Sequence, residues 1–446
     1  VLKLCLALPT FHPTFAGGPL RFLRYQPRMR LHDIHACVLA GTAREKALTP
    51  EEARLRWHEQ PIGRMLPPEC IEGVPVRRVR LPDRTSVRRT SIYFRALLEH
   101  CEAPATRPDV IQLHSFERLE ALYWLRRLRR LDIPLLYAIQ IARPLAPERG
   151  LRRRLRKSML RDFYGLFDGI ATSSERIRGS LLDLGVRTPI EVIPNGVDLG
   201  RFRPVDAEAR RRVRQELGIE EGAPVVLAVG AVSPRKGSDL LVEAFRTLSL
   251  QRPEAQLLFV GPRHDRRNQR LGGFEARLEQ LVRECPAPDR IRFMGVRDDL
   301  PRLYAAADVV VLPTDREGGT PNVVLEAMAC ARPVLLTRFE GQSAALGRPG
   351  VEFAQAPRSP EGLAESLSRL VEDRQRREAL ARNGLEWVRR RLDVQHSVDR
   401  FADLYRRAAA RTLSTSTPAP MPMPMPMPIA DGHGIRARDV TPIAKE

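Results

Sequence analysis

What this 446-residue sequence lacks limits its function first. No apolar run approaches the roughly 18 residues that a membrane-spanning helix needs. A bundle of spans is excluded. The opening VLKLCLALP is short and soon broken by polar residues, so it is expected to be a buried strand rather than a signal peptide. Cysteine is scarce, with six residues at 5, 37, 70, 101, 285 and 330. They form no C-x-x-C pair and no Cys/His cluster at zinc spacing, so the spacing signals neither a metal centre nor a disulfide framework. Scattered thiols fit a reducing cytoplasm. Aromatics are only 6%, and no recognition-helix, zinc-finger or RNP pattern occurs, which argues against nucleic acid as a partner. The phosphate-binding spacing G-x-x-x-x-G-K-[ST] is also missing.

What is present is an arginine-dominated charge of +20, with only five lysines among 74 basic residues. The excess is concentrated early, since residues 1–199 hold 34 basic against 21 acidic side chains. Such a balance implies an anionic partner, whether a membrane surface or a phosphorylated molecule. WLRRLRRL (124–131) and RGLRRRLRKSMLRDFY (149–164) interleave arginine with leucine at helical spacing, as in basic amphipathic helices that lie on anionic membranes. The plainer reading is a solvated helix face packing its leucines on a core.

Short apolar runs alternate with helical stretches almost throughout. Strands are expected at 2–9, 109–114, 134–139, 169–173 and 190–194, and again at 224–230, 255–261, 291–295, 309–314 and 333–337. Buried strands separated by helices predict parallel sheets, here two doubly wound Rossmann-like domains of class α/β. The Pro- and Gly-rich joint PNGVDLGRFRP sets the boundaries at 1–199 and 200–385, with helices over 386–411. The Met-Pro repeat in 412–446 cannot form a packed core, so a disordered tail is expected there. Ligands in such folds bind outside the carboxyl ends of the strands, which points to the groove between the halves.

Two segments carry chemistry. In VVVLPTDREGGTPNVVLEAMACARPVLLT (309–337), Thr320 suits a helix N-cap and Pro321 the first helical position. The free N–H groups there favour an anion such as phosphate. Glu326, about a turn inside, is placed to accept hydrogen bonds from sugar hydroxyls. In VGAVSPRKGSDLLVEAF (229–245), the adjacent Arg235 and Lys236 follow a strand end and suit a diphosphate.

PNGVDLGRF (194–202), PRKGSDLLVEAF (234–245), FVG (259–261), RFMGVRDDLPRLYAAADVVVLPT (292–314) and EGGTPNVVLEAMA (317–329) occur in this order. Together they resemble the donor domain of glycosyltransferase family 4, retaining enzymes of GT-B fold. The resemblance is dense over 190–340 and weaker from 1 to 189.

The resemblance implies a nucleotide-diphosphate sugar (UDP-, GDP- or ADP-linked) bound mainly by the second domain. The first domain would hold a glycan, lipid-linked or small-molecule acceptor. No metal or other cofactor is implied. Glu326 matches the residue that holds the ribose. Thr320, Pro321 and Asn322 match the helix tip at the diphosphate and donor sugar. Arg235 and Lys236 match the catalytic basic loop, and Gly295 and Val296 the surroundings of the base. Gly17 and Gly18 match the glycine loop after the first strand, and His114 the active-site histidine. The chain departs from the pattern in four places. Glu317, expected to be catalytic, and Glu326 are nine apart rather than eight. Gly318 therefore takes the strict position, where it is expected to contact the donor, and a bulge or shifted loop is needed to bring Glu317 into place. Ala231 replaces an arginine, Ala331 a glycine at a helix end, and Gln140 a histidine.

The expected activity is sugar transfer with retention, in polysaccharide or glycoconjugate biosynthesis. The expected location is the cytoplasm, at the inner face of the cytoplasmic membrane. A sugar-nucleotide epimerase and a non-catalytic GT-B scaffold are the alternatives. The 386–411 helices are expected to return to the first domain.

Overall fold

The structure, a computed structural model, describes residues 1–9, 25–42, 57–82, 87–139, 150–263 and 272–415. Gly17, Gly18, Gln140 and the Met-Pro repeat lie outside the described residues.

The first apolar run forms β1 (Leu2–Leu8), followed by β2 (Ile34–Gly41), β3 (Glu69–Ile71), β4 (Val74–Val79) and helix α1 (Val87–Glu102). Then come β5 (Val110–Leu113), α2 (Leu119–Leu128), β6 (Leu135–Ile139), α3 (Leu151–Tyr164), β7 (Gly169–Thr172), α4 (Glu175–Asp183) and β8 (Ile190–Val192). The eight strands make one sheet, β3-β4-β2-β1-β5-β6-β7-β8, parallel except where β3 meets β4. The five strands expected in this half are β1 and β5 to β8. Of the other three, β4 escaped the apolar-run criterion for a physical reason. In β4 the fully buried Arg78 interrupts the run, and it is accommodated by an ion pair with Glu69 and by stacking 4.5 Å over Trp57.

The second half contains α5 (Ala207–Glu216), β9 (Val225–Val229), α6 (Ser238–Gln251), β10 (Gln256–Val260), α7 (Gly272–Arg283), β11 (Ile291–Phe293) and α8 (Leu300–Ala306). It continues with β12 (Val309–Leu312), β13 (Arg316–Gly319), α9 (Asn322–Ala329), β14 (Val334–Thr337), β15 (Glu340–Gln342) and β16 (Ala354–Ala356). Its sheet runs β11-β10-β9-β12-β14-β16, all parallel, while β13 and β15 pair separately. Each main sheet carries an apolar core on both faces, as parallel sheets require.

Three helices end the described chain: α10 (Pro360–Glu372), α11 (Arg374–Arg391) and α12 (Val394–Thr415). Helix α11 runs unbroken through position 386, and its Val388 shares a core with Leu325 and Met328 of the second domain. The chain therefore crosses back at 392–394 rather than at 386. Helix α12 lays Val398, Phe401 and Tyr405 against Leu4, Leu6 and Leu136 of the first sheet, and it continues to Thr415, past the expected end at 411. The two crossings pair with each other, Val197 N–H donating to Leu392 O at 2.8 Å and Val394 N–H to Val197 O at 2.9 Å. A Cβ on Gly196 would lie 2.5 Å from Val394 Cα, so only glycine permits this approach.

Ala331, just past α9, adopts φ 52°, the left-handed conformation that glycine takes without a Cβ clash. Ala331→Gly is expected to stabilise the protein by roughly 0.5–1 kcal/mol, read as a higher denaturant midpoint at unchanged slope. An unchanged or lower midpoint would mean the strain is not there.

Candidate functional site

In the second sheet the strand order reverses between β9 and β12, and the carboxyl ends beside this switch point open a crevice. A cleft of about 290 Å³ lies there, facing the first domain. Its floor is bare backbone. Gly230 and Gly261, which end β9 and β10, have φ 136° and 143°, and a Cβ on Gly261 would stand 2.2 Å from Gly230 O. Ala231 also lines the cleft, at the position where the resemblance leads one to look for arginine.

Glu326 lines the same cleft from α9 and is only 6% exposed. Tyr304 of α8 donates its hydroxyl to Glu326 Oε2 at 2.9 Å and approaches Val323 O at 3.3 Å. Burial, reinforced by the Glu326 charge, pushes the Tyr304 hydroxyl well above its ordinary pKa, so it remains a donor. The carboxylate held in this way stands on the wall of the cleft that hydroxyl groups would enter.

The tip of α9 is built differently from expectation. Thr320 does not cap the helix, which begins at Asn322 with an extended Pro321 before it and no side-chain cap. The reason is a tertiary competitor: Thr320 Oγ1 accepts from Asn195 N–H at 2.9 Å, and Thr320 O accepts from Asn195 Nδ2 at 2.8 Å. Thr320 is fully buried and ties the helix tip to the interdomain joint. Asn322 lines the cleft, and its Oδ1 is buried with no partner among the described residues.

The nine-residue spacing of the glutamates is absorbed in β13, whose register against β15 shifts between Arg316 and Gly319. Gly318 is buried in this bulge. Gly319 has φ 50°, and a Cβ there would come within 2.4 Å of Ser173 O in the first domain. Glu317 turns toward the loop after β9. Its Oε1 lies 2.6 Å from Arg235 Nη1 and 2.5 Å from Lys236 Nζ, and 3.3 Å from Thr314 Oγ1. Burial pulls the Lys236 ammonium below its ordinary pKa, and the Glu317 carboxylate opposes that pull. Arg235 and Lys236 do not themselves line the cleft, yet the Lys236 stem packs under Gly230, where a Cβ would be 3.3 Å from Lys236 Cε.

Gly295 has φ 67°, leaves open space where a Cβ would stand, and accepts from Gly261 N–H at 2.8 Å. Val296 forms part of the cleft wall and is 66% exposed. His114 is the outlier. It is 4% exposed, ends β5 in the first domain, and is not among the residues lining the cleft. Tyr405 of α12 donates to Gln112 Oε1 at 2.8 Å, which turns the Gln112 amide nitrogen toward His114 Nε2, also at 2.8 Å. With the amide nitrogen turned toward it, Nε2 is the acceptor in this relay.

Sequence reasoning missed the cations at the mouth. Arg28, on the helical stretch 25–30, lines the cleft and pairs with Asp198 at 3.1 Å. Burial works against the Asp198 charge, but Arg28 and the N–H groups of Arg201 and Gly200 prevail and hold its pKa below the usual range. Arg201 and Arg297 also line the cleft. Isolated arginines in an arginine-rich chain give no local signal, and only the tertiary fold gathers them, Arg28 from the first domain and Arg201 and Arg297 from the joint and the second.

Two family models match the chain. That described as a glycosyl transferase 4-like domain covers residues 20–196, and that described as glycosyl transferases group 1 covers 209–387. Among relatives, the chain is 31% identical over 212 residues to a GDP-mannose-dependent phosphatidylinositol monomannoside mannosyltransferase of Mycobacterium tuberculosis, covering 46% of this chain and 52% of that protein. It is 32% identical over 223 residues to a lipopolysaccharide core biosynthesis glycosyltransferase of Rhizobium meliloti, covering 49% and 58%. The chain thus spans about half the length of the curated relatives it matches. Among solved structures, Anabaena HepE in complex with UDP and glucose superposes with TM-score 0.68 at 20% identity, over 91% of this chain and all of that one. Sucrose-phosphate synthase of Thermosynechococcus elongatus gives 0.70 at 22%, over 92% of this chain and 100% of its own. These likenesses establish the fold. With one family model on each domain and GT-B architecture throughout, the chain belongs to the group 1, family 4-type glycosyltransferases.

Proposed function

We propose that this chain transfers a sugar, with retention, from a nucleotide-diphosphate sugar to a hydroxyl of a glycan, lipid-linked or small-molecule acceptor in polysaccharide or glycoconjugate assembly. The observation that carries this reading is Glu326, a buried carboxylate on the wall of a cleft floored by bare glycine backbone. Relatives named for GDP-mannose, and neighbours solved with UDP, support the donor class.

In this reading Glu326 accepts hydrogen bonds from the ribose hydroxyls, and Gly295 and Val296 border the base. The N–H of Asn322 at the helix tip behind Pro321 and the cations Arg235 and Lys236 meet the diphosphate, while Thr320 fixes the helix tip. Glu317 and Gly318 set the position of those cations. Asn322 Oδ1 offers the donor sugar an unused acceptor. His114, Gly17 and Gly18 contribute from the first domain. The C1–O bond to the phosphate breaks and a new C1–O bond to the acceptor forms on the same face. The acceptor's proton passes to the leaving phosphate oxygen, whose growing charge the fixed cations stabilise, so no metal is called on. Closure about the paired crossings at 197 and 392–394 brings both substrates together and excludes water.

The test is thermal stabilisation across UDP, GDP and ADP, followed by mass spectrometry of products from a sugar-nucleotide panel. A nucleotide at 100 times its Kd adds about 2.7 kcal/mol. A clear upward shift with one nucleotide is expected. No response to any of the three at millimolar concentration would favour the scaffold reading. A shift accompanied by interconversion of the sugar nucleotide, without transfer, would favour the epimerase.

We also propose peripheral attachment to the inner face of an anionic membrane. No helix among the described residues is long and apolar enough to cross one. Helix α3 leaves Leu151 71% and Leu155 62% exposed beside Arg152, Arg153, Arg154 and Arg156, the mixture that inserts shallowly among acidic headgroups. Flotation is expected with anionic vesicles and to weaken as salt rises. Equal flotation with neutral vesicles would contradict it.

A further inference from the structure

The sequence spaces its cysteines so widely that no metal site is legible, but the fold brings three ligand-type residues together far from each other in sequence. We propose that Cys5, Cys37 and His100 bind a thiophilic divalent cation of the zinc class, which pins α1 to the first two strands of the sheet.

Three observations carry the assignment. The parallel register of β1 and β2 sets Cys5 directly beside Cys37, and paired residues of adjacent strands face the same side. Helix α1 covers that side and delivers His100 from its last turn. One ligand atom from each of the three lies within 4.8 Å of the other two.

One of the three spacings is that of a coordination polyhedron. Zinc bonds of about 2.3 Å to sulfur and 2.0–2.1 Å to nitrogen, at the tetrahedral angle, put the two ligand atoms about 3.6 Å apart. Cys37 Sγ and His100 Nε2 are 3.5 Å apart.

Burial supplies the electrostatic reason. Cys5 is 0% and His100 6% exposed. Two thiolates and a neutral imidazole around a dication are neutral overall, the form in which such charges enter an apolar core. Binding releases two thiol protons to solvent and changes no oxidation state. Among the described residues the His100 ring has no hydrogen-bond partner at Nδ1, and the Cys37 contact at Nε2 orients it. Cys37 is half-buried, so the fourth tetrahedral position would open on its side, within reach of solvent. Cys101, next to His100 in α1, lies outside the ligand set.

This inference is independent of the donor-site reading, and its test does not involve sugar transfer. The full chain is stripped with a chelator under reducing conditions and titrated with Co²⁺. A thiolate-to-cobalt charge-transfer absorption and tetrahedral d–d bands are expected to saturate at one Co²⁺ per chain and to vanish on adding Zn²⁺. Cys37→Ser should weaken binding at least tenfold, and Cys101→Ser should leave the titration unchanged. Absence of the charge-transfer band in the wild-type chain overturns the proposal, whatever the variants do. So does an undiminished titration in Cys37→Ser, or a metal-free chain isolated two hydrogens light with a Cys5–Cys37 disulfide.

Discussion

Glu326→Ala is expected to lower kcat/KM for the sugar donor by roughly 10²-fold or more. The estimate comes from two hydroxyl-to-carboxylate hydrogen bonds at about 1.5 kcal/mol or more each, with each 1.4 kcal/mol worth tenfold. The loss should appear mainly in donor binding, because the carboxylate is assigned to the ribose rather than to the reacting carbon. The fold should survive, since Tyr304 keeps a second acceptor in Val323 O, 3.3 Å away. Donor titration by calorimetry, with circular dichroism as a control, checks both parts. Unchanged titration curves in a folded variant would remove Glu326 from the site. Tyr304→Phe is a milder companion, because Tyr304 acts only by positioning Glu326, and a modest rise in KM at unchanged kcat is expected.

Arg235→Ala with Lys236→Ala is expected to have the larger effect, a fall in turnover of roughly 10³-fold. Removing a single fixed donor to developing negative charge already costs about 10²–10³. The structure adds a complication that the sequence does not show. Both cations pair with Glu317, so the double variant strands a carboxylate that is only 10% exposed and loses stability as well as activity. The effects separate in the triple variant with Glu317→Gln. The neutral amide should recover the unfolding midpoint but not the turnover, because both cations assigned to the diphosphate are still missing. Wild-type rates in the double variant would discard the assignment. Recovery of both properties in the triple variant would make the cations structural partners of Glu317 and nothing more.

Much of the frame was legible because it is written locally. The runs at 224–230, 255–261 and 309–314 became β9, β10 and β12, and the bare glycines ending β9 and β10 are adjacent to them in sequence. Glu326 was legible for the same reason, being fixed to the cleft by one turn of helix. Thr320 was legible only in part. Its residue type promised a cap, but Asn195, remote in sequence, had already engaged its hydroxyl. Strand β4 was hidden because Arg78 reads as a surface residue until Glu69 and Trp57 are seen beside it.

The sequence by itself determined two parallel sheets, their joint, the anion-seeking strand ends and the family, since each depends on residue types within a turn or two of one another. The tertiary structure decided what depends on encounters across the chain: that Glu317 binds Arg235 and Lys236, that Arg28 and Asp198 meet at the cleft mouth, that α12 holds the His114 relay, and that Cys5, Cys37 and His100 converge. Periodicity reports which face of an element is buried. Which side chains meet there is set by strand order and helix packing, which no local pattern encodes.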